Sequence, residues 1–358
     1  MPILTDEEAD ALPMKVLFIG GTGRISAAVS RRALELGWEL WHLNRGSRSP
    51  ESWRAPAGPG RFRQITCDIS REAEAAEKLA GLEFDAVADF IAYTPDQAQR
   101  DYRLFKGKTR QYIYISSASA YQKPPSSCPI TEATPLANPF WEYSRQKIAC
   151  EEFLVKAYRE EGFPITIVRP SHTYDERSVP LGAHGKNGSW QVVKRIIEGK
   201  PVLIHGDGTS LWAVMSSADF AAAFTGLVGN IHALGEAVQI TSEEVLCWNQ
   251  IYQAVAGAVG KPLKAVHVAS DFLARAAPDY GYTGGLTGDK AVSVVFDNTK
   301  LKRLVPGFCA QTRFDRGVRE TINYILAHPE LQQEDPEFDL FCDKVIAAQE
   351  RALGEALA

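Results

Sequence analysis

Lys15 to Ile19, KVLFI, runs straight into Gly20-Gly21-Thr22-Gly23-Arg24-Ile25-Ser26 and then into a helical pattern through Leu36. An apolar β-forming run, a glycine loop and a helix in that order commit the chain to a strand, a tight turn and a helix N-terminus. Glycines let the backbone approach a pyrophosphate, whose charge the helix amides and dipole then meet. Gly20, Gly21, Thr22, Gly23, Arg24 and Ile25 are therefore the expected dinucleotide contacts. Ser26 stands where the third glycine of a G-x-x-G-x-x-G spacing would sit. Serine is small enough to keep the loop.

The next strand, Glu39 to Leu43, ends in Asn44-Arg45-Gly46-Ser47-Arg48. In dinucleotide folds a carboxylate here selects the ribose 2'-hydroxyl, whereas an arginine accepts a 2'-phosphate. The carboxylate is missing and two arginines follow. Asn44, Arg45 and Arg48 are thus expected at the cofactor, which is NAD or NADP with a lean to NADP, although Arg48 equally suits a solvent-exposed loop. Phe62 to Thr66, followed by Cys67-Asp68-Ile69, reads as a third strand ending in an acid, with a helix from Ser70. Asp68 either caps that helix or reaches the adenine, with Ile69 beside it.

Phe84 to Phe90 and Gln111 to Ile115 are two more buried strand runs around a helix at Asp96 to Phe105. Such alternation predicts an α/β fold, a Rossmann-type doubly wound parallel sheet with a smaller C-terminal substrate-binding lobe. The expected divisions are a flexible extension over 1–13, a dinucleotide domain over 14–174, and a lobe with C-terminal helices over 175–358. Strand C-termini in such a sheet line one crevice. Ala92, Tyr93 and Thr94 follow one strand, and Ser116, Ser117, Ala118 and Ser119 follow the next.

Trp141 to Cys150, WEYSRQKIAC, places Tyr143 and Lys147 four apart on one helical face. An ammonium beside a phenol favours the phenolate, and a phenol of lowered pKa can take or return a proton. Taken alone, the same spacing suits an ordinary amphipathic helix. With the glycine loop, Ser117 and the Y-x-x-x-K in order, the chain resembles the extended short-chain dehydrogenase/reductases, the NAD-dependent epimerase/dehydratase family. IVRPSHTY (Ile167 to Tyr174), HGDGTSLW (His205 to Trp212), Asp219-Phe220 and FDNTKLKR (Phe296 to Arg303) continue the resemblance.

The resemblance implies that Tyr143 is the acid/base, that Lys147 lowers its pKa and holds the nicotinamide ribose, and that Ser117 bonds the reacting oxygen. Ala92, Tyr93 and Pro170 complete the implied cofactor contacts. The implied activity is an NAD(P)-dependent oxidoreductase or epimerase, with hydride transfer at a secondary alcohol of a sugar, nucleotide sugar or sugar-like substrate. Ala118-Ser119 replaces the Asp-Glu pair of the family's dehydratases and the glutamate of its decarboxylases. Both chemistries are thereby disfavoured. Members acting on nucleotide sugars carry arginines at positions matching Trp212 and the stretch Gly285 to Thr287, where this chain has none. A bidentate diphosphate clamp is lost with them, so a substrate without a nucleotide carries nearly equal weight. Lys186, Lys194, Arg195 and Lys290 are the available compensating cations.

Thr94, Ser119, Tyr121, His172, Lys186 and Trp212 are the expected substrate contacts. Trp212 either stacks on a sugar face or packs the core. The rival reading is a non-catalytic, dinucleotide-binding member that regulates or binds RNA or another partner. A net charge of -5 and the absence of a basic run argue against nucleic acid. The histidines show no ligand spacing, so no metal is expected. Six widely spaced cysteines without a C-x-x-C, an acidic N-terminus and no long apolar run point to a cytoplasmic protein with no membrane span. Helical spacing marks Phe314 to Ala327 and Phe338 to Leu353 as amphipathic helices. By family analogy, Asp96 to Phe105 and Trp141 to Tyr158 would join two copies as a homodimer.

Overall fold

The seven strands that build the central sheet are short, and all but the edge strand Arg61–Thr66 are mainly apolar. The computed structural model describes residues 13–48 and 59–358. Apart from its last residue, the extension expected over 1–13 lies outside the described residues. In chain order the first half runs β1 (Lys15–Ile19), α1 (Arg24–Glu35), β2 (Glu39–Asn44), β3 (Arg61–Thr66), α2 (Glu72–Lys78), β4 (Ala86–Asp89), α3 (Pro95–Phe105), β5 (Tyr112–Ile115), α4 (Glu142–Glu161) and β6 (Ile165–Pro170). The second half adds β7 (His172–Tyr174), α5 (Trp190–Ile197), β8 (Val202–His205), β9 (Leu211–Trp212), β10 (Val214–Ser216), α6 (Ser217–Thr225), β11 (Ala237–Ile240), β12 (Leu246–Cys247), α7 (Trp248–Ala258), β13 (Ala265–Val268), α8 (Ser270–Ala276), α9 (Thr299–Leu304), α10 (Phe314–Ala327) and α11 (Pro336–Leu357).

The main sheet has the order β11-β6-β5-β4-β1-β2-β3 and is parallel throughout. Alternation in β1 sends Val16 and Phe18 into one face, against α1 and α6, and Leu17 and Ile19 into the other, against α3 and α4. All four side chains are wholly buried, which is why the run reads as continuously apolar. The order reverses between β1 and β4, and a crevice opens beyond their C-terminal ends at such a switch point. The late strand β11 returns to the sheet beside β6, with Val238 opposite Val168.

Three boundaries differ from the sequence expectation, each for a local reason. The helix expected from Ser70 begins at Glu72, because the Asp68 carboxylate takes the amide and hydroxyl of Ser70 and holds a turn there. The strand expected over Phe84 to Phe90 narrows to β4, since Asp89 Oδ1 accepts the amides of Ile91 and Ala92 and turns the chain. The last helix starts two residues early, with Pro336 in its first turn and the Asp335 side chain accepting the Phe338 amide.

The second lobe packs α5, α7, α10 and α11 around Trp248, Tyr252, Phe314 and Phe338. Arg195 is completely buried there, donating to Pro201 O, Asp339 and Asp343. Among the described residues no helix is long and apolar enough to cross a membrane. All six cysteines are free thiols.

Candidate active site

The glycine loop is shaped by what lies behind it. Gly20 has φ +76°, and a Cβ there would sit 2.3 Å from the Ile91 side chain; at Gly21 it would meet the His42 ring at 2.3 Å. Neither position accepts another residue without moving the sheet end. Ser26 replaces the third glycine productively: its hydroxyl donates to Gly20 O (2.7 Å) and accepts the Gly23 amide (2.8 Å). Burial holds His42 down at about 3, and its Nε2 lies 2.8 Å from Ser30 Oγ.

Beneath this loop a cleft of about 450 Å³ is lined by Gly20, Thr22, Gly23, Asn44, Arg45, Arg48, Asp68, Ile69 and Tyr93. Arg48 crosses it to donate to Thr22 O at 2.6 Å. Asn44 accepts the Gly46 amide, and its Nδ2 is buried without a partner among the described residues. A buried amide donor and a backbone cradle that a Cβ would fill fit the ribose and pyrophosphate of a dinucleotide. Asp68 lies in the same cleft, held by Ser70 rather than capping α2 itself.

A second cavity, of about 350 Å³, adjoins the first and takes its walls from both lobes: Arg24, Ile25, Ser117, Ser119, Lys123, Trp141, Tyr143, Pro170, Ser171, His172, Trp212, Asp289 and Lys290. Tyr143 packs at 4.9 Å from Trp141 and 6.1 Å from Tyr93, ring to ring. A chain of hydroxyls backs it, from Ser144 to Ser119 (2.9 Å) and from Ser119 to Ser117 (2.9 Å).

Lys147 is almost wholly buried and donates to Ala92 O and Ile115 O, both at 2.7 Å. Its Nζ lies 5.8 Å from the Tyr143 ring centroid. Burial lowers the lysine to about 8, with Asp89 opposing. Burial also pushes the Tyr143 phenol up to about 12, with Ser117 pulling the other way. The expected lowering of the phenol by Lys147 is therefore not met in this state. The ammonium is turned towards two carbonyls, and burial dominates at the phenol.

Helix α4 is fixed from below by Glu151, one turn past Lys147. Arg169 of β6 donates to both its oxygens, at 3.0 and 2.5 Å, and Ser116 Oγ donates to the first.

Three expected substrate contacts lie elsewhere. Thr94 caps α3, with Gln97 accepting its amide. Tyr121 is buried, donating to Gln239 at 2.9 Å with the Arg169 guanidinium over its ring. Lys186 is exposed and faces Glu337 at 3.9 Å. Trp212 lines the cavity yet packs on Trp248 at 5.5 Å, so it serves both expected roles' surfaces. His172 reaches the cavity wall, and burial holds it neutral. Lys123, Ser171 and Asp289 carried no local signal in the sequence, because the cavity gathers them from distant segments.

The sequence profile of the NAD dependent epimerase/dehydratase family matches residues 16–240, more than half the chain. The chain belongs to this family. As an extended short-chain dehydrogenase/reductase it is of an enzyme type. It is 29% identical over 308 residues to the 2'-dehydrokanamycin reductase of Streptomyces kanamyceticus, covering 85% of this chain and 82% of that protein. The epimerase Mth375 of Methanothermobacter thermautotrophicus superposes with a TM-score of 0.73 at 16% identity, over 90% of this chain and 95% of the other. The UDP-glucose 4-epimerase of Bifidobacterium longum, solved with NAD+ and UDP, gives 0.68 at 19% identity, over 88% and 98%. At these identities the two structures speak to the Rossmann-type fold, which they share with this family member.

Proposed function

We propose that this enzyme moves a hydride between NAD(P) and a secondary alcohol carbon of a sugar-like substrate lacking a nucleotide, with Tyr143 as the acid/base. The observation that carries this reading is that Ser117 and Tyr143 line the second cavity, while Lys147, one helical turn on from Tyr143, holds the carbonyls of Ala92 and Ile115 beyond β4 and at the end of β5. A bound nicotinamide supplies the hydride acceptor or donor. The protein orients and protonates. Ser117, held by Ser119, positions the substrate oxygen, and Tyr143 exchanges a proton with that oxygen.

A phenol pushed up to about 12 is protonated at neutral pH, which equips Tyr143 to give its proton to a carbonyl being reduced. The preference for reduction over oxidation in this reading rests on the reductase relative. The cavity of about 350 Å³ sits at the low end for small-molecule sites. Three of the cations that could have replaced a diphosphate clamp are engaged elsewhere: Lys186 at Glu337, Lys194 at Glu334, and Arg195 inside the second lobe. Both points favour a compact substrate. A homodimer through α3 and α4, which pack side by side with Tyr102 against Phe153, belongs to the same reading.

Tyr143→Phe tests it. The variant should lose about 10²- to 10⁴-fold in turnover while binding NAD(P) as before in a fluorescence titration. Full activity on an identified substrate would remove Tyr143 from the mechanism.

A further inference from the structure

The charged groups of the second cavity do not balance. Arg24, Lys123, Asp289 and Lys290 line it. Arg24, half exposed at the rim, leans towards Asp175 at 3.8 Å. Inside, Lys123 Nζ lies 3.0 Å from Asp289 Oδ1, with both side chains largely shielded from water. That pair is self-neutralising and, among the described residues inside the cavity, leaves Lys290 as the surplus cation, although burial disfavours its charged form. The Lys290 ammonium carries three donors and, among the described residues, meets one protein acceptor, Gly285 O at 3.1 Å.

The Lys290 backbone is held in place from behind. Its carbonyl accepts Ser210 Oγ (3.0 Å) and Trp248 Nε1 (3.1 Å), and His205 Nε2 lies 3.2 Å away. The residue also ends a π-helical stretch, Thr283–Lys290, a geometry that recurs at functional sites. Two further wall residues have a buried polar atom with no protein partner: the Ser171 hydroxyl and the Trp212 indole N–H. An ammonium on the cavity wall, with an unpartnered hydroxyl and an unpartnered N–H on residues of the same wall, calls for acceptor oxygens. Burial keeps His172, on the cavity wall, neutral, and Lys290 and Arg24 push it the same way.

We infer that Lys290, with Ser171 and Trp212, recognises a compact anionic substituent, a carboxylate or a phosphate monoester, on the sugar-like substrate. This inference rests on the hydride-transfer reading only for the location of the reacting carbon. Lys290 and Tyr143 line the same cavity of about 350 Å³, so the anionic group and the reacting carbon share one compact space. A diphosphate needs more cations than the one surplus ammonium.

Isothermal titration of the full chain, with NADP+ present, measures the site directly. The probes are D-gluconate and D-glucuronate for the carboxylate, D-glucose 6-phosphate for the phosphate, and D-glucose and D-glucosamine as neutral and cationic controls. An acid or the phosphate ester should bind at least tenfold more tightly than either control, and the better of the two names the source of the charge. Lys290→Gln should abolish that preference, and Lys290→Arg should retain it. Tyr143→Phe should leave it intact, which separates this site from the proton-transfer step. Equal or tighter binding of D-glucosamine, an unchanged preference in Lys290→Gln, or no binding of any anionic probe at millimolar concentration would overturn the inference. A loss of preference in Tyr143→Phe would do so too.

Discussion

Glu151→Gln is a one-atom change that should be felt through the whole catalytic helix. Glu151 and Arg169 have side chains only 4% and 5% exposed, and the guanidinium makes two hydrogen bonds to the carboxylate. Replacing the carboxylate leaves a buried arginine without its counter-charge and weakens the bond from Ser116. Removing one partner of such a pair costs about 3 to 5 kcal/mol. Against a typical stability of about 5 to 15 kcal/mol, that is about a fifth of the total or more.

The double variant Glu151→Met/Arg169→Met removes both charges together and should recover at least about 2 kcal/mol relative to the worse single variant. Urea unfolding followed by far-UV circular dichroism and tryptophan fluorescence reads all four corners of the cycle: the native chain, Glu151→Met, Arg169→Met and the double variant. If each single variant lost under about 1 kcal/mol and the double were additive, the pair would not be the anchor of α4. The variants that loosen the anchor should also lower turnover, since the same helix carries Tyr143 and Lys147.

Gly21→Ala should cost about 1 to 3 kcal/mol and weaken NAD(P) binding at least tenfold, because the new methyl meets the His42 ring at 2.3 Å; a melting curve and a fluorescence titration check both parts. Arg48→Ala should weaken NADP+ binding more than NAD+ binding, as read by titration with each; equal effects would mean that the arginine serves the loop through Thr22 O and not a 2'-phosphate. The pH dependence of stability follows from His42 at about 3 and His205 at about 4. Below about 6.5 the unfolded chain takes up protons that the folded state refuses, so each histidine should remove about 1.4 kcal/mol per pH unit down to its folded value. Urea midpoints measured from pH 7 to pH 4 should fall accordingly.

The inner strands of the sheet were legible because they are buried on both faces and so read as nearly uninterrupted apolar runs, as at Lys15 to Ile19 and Ile165 to Val168. Tyr143, Lys147 and Ser117 were legible as a spaced set, and the structure brings them to one region. The fate of the charges was not legible. Lys186, Lys194, Arg195 and Lys290 look alike along the chain, yet Glu334, Glu337, Asp339 and Asp343 engage the first three from around and within α11. Only the packing of that helix against α5 distinguishes them from Lys290. Tyr121 was misjudged for a related reason. Its neighbours Gln239 and Arg169 come from β11 and β6, and nothing within a few residues announces them.

The serine in the glycine loop changes the order in which binding costs are met. Because Ser26 already ties Gly20 to Gly23, the loop enters the encounter with a dinucleotide in a fixed shape, and little conformational freedom remains to be lost on association. The same bond occupies the Gly23 amide, one of the donors a phosphate oxygen would otherwise find. The rim arginines Arg24, Arg48 and Arg177, the last reaching Gly23 O at 3.3 Å, stand where that missing donor can be replaced by long-range attraction. Capture of the dinucleotide should accordingly be fast and sensitive to ionic strength, with added salt slowing association far more than it hastens release.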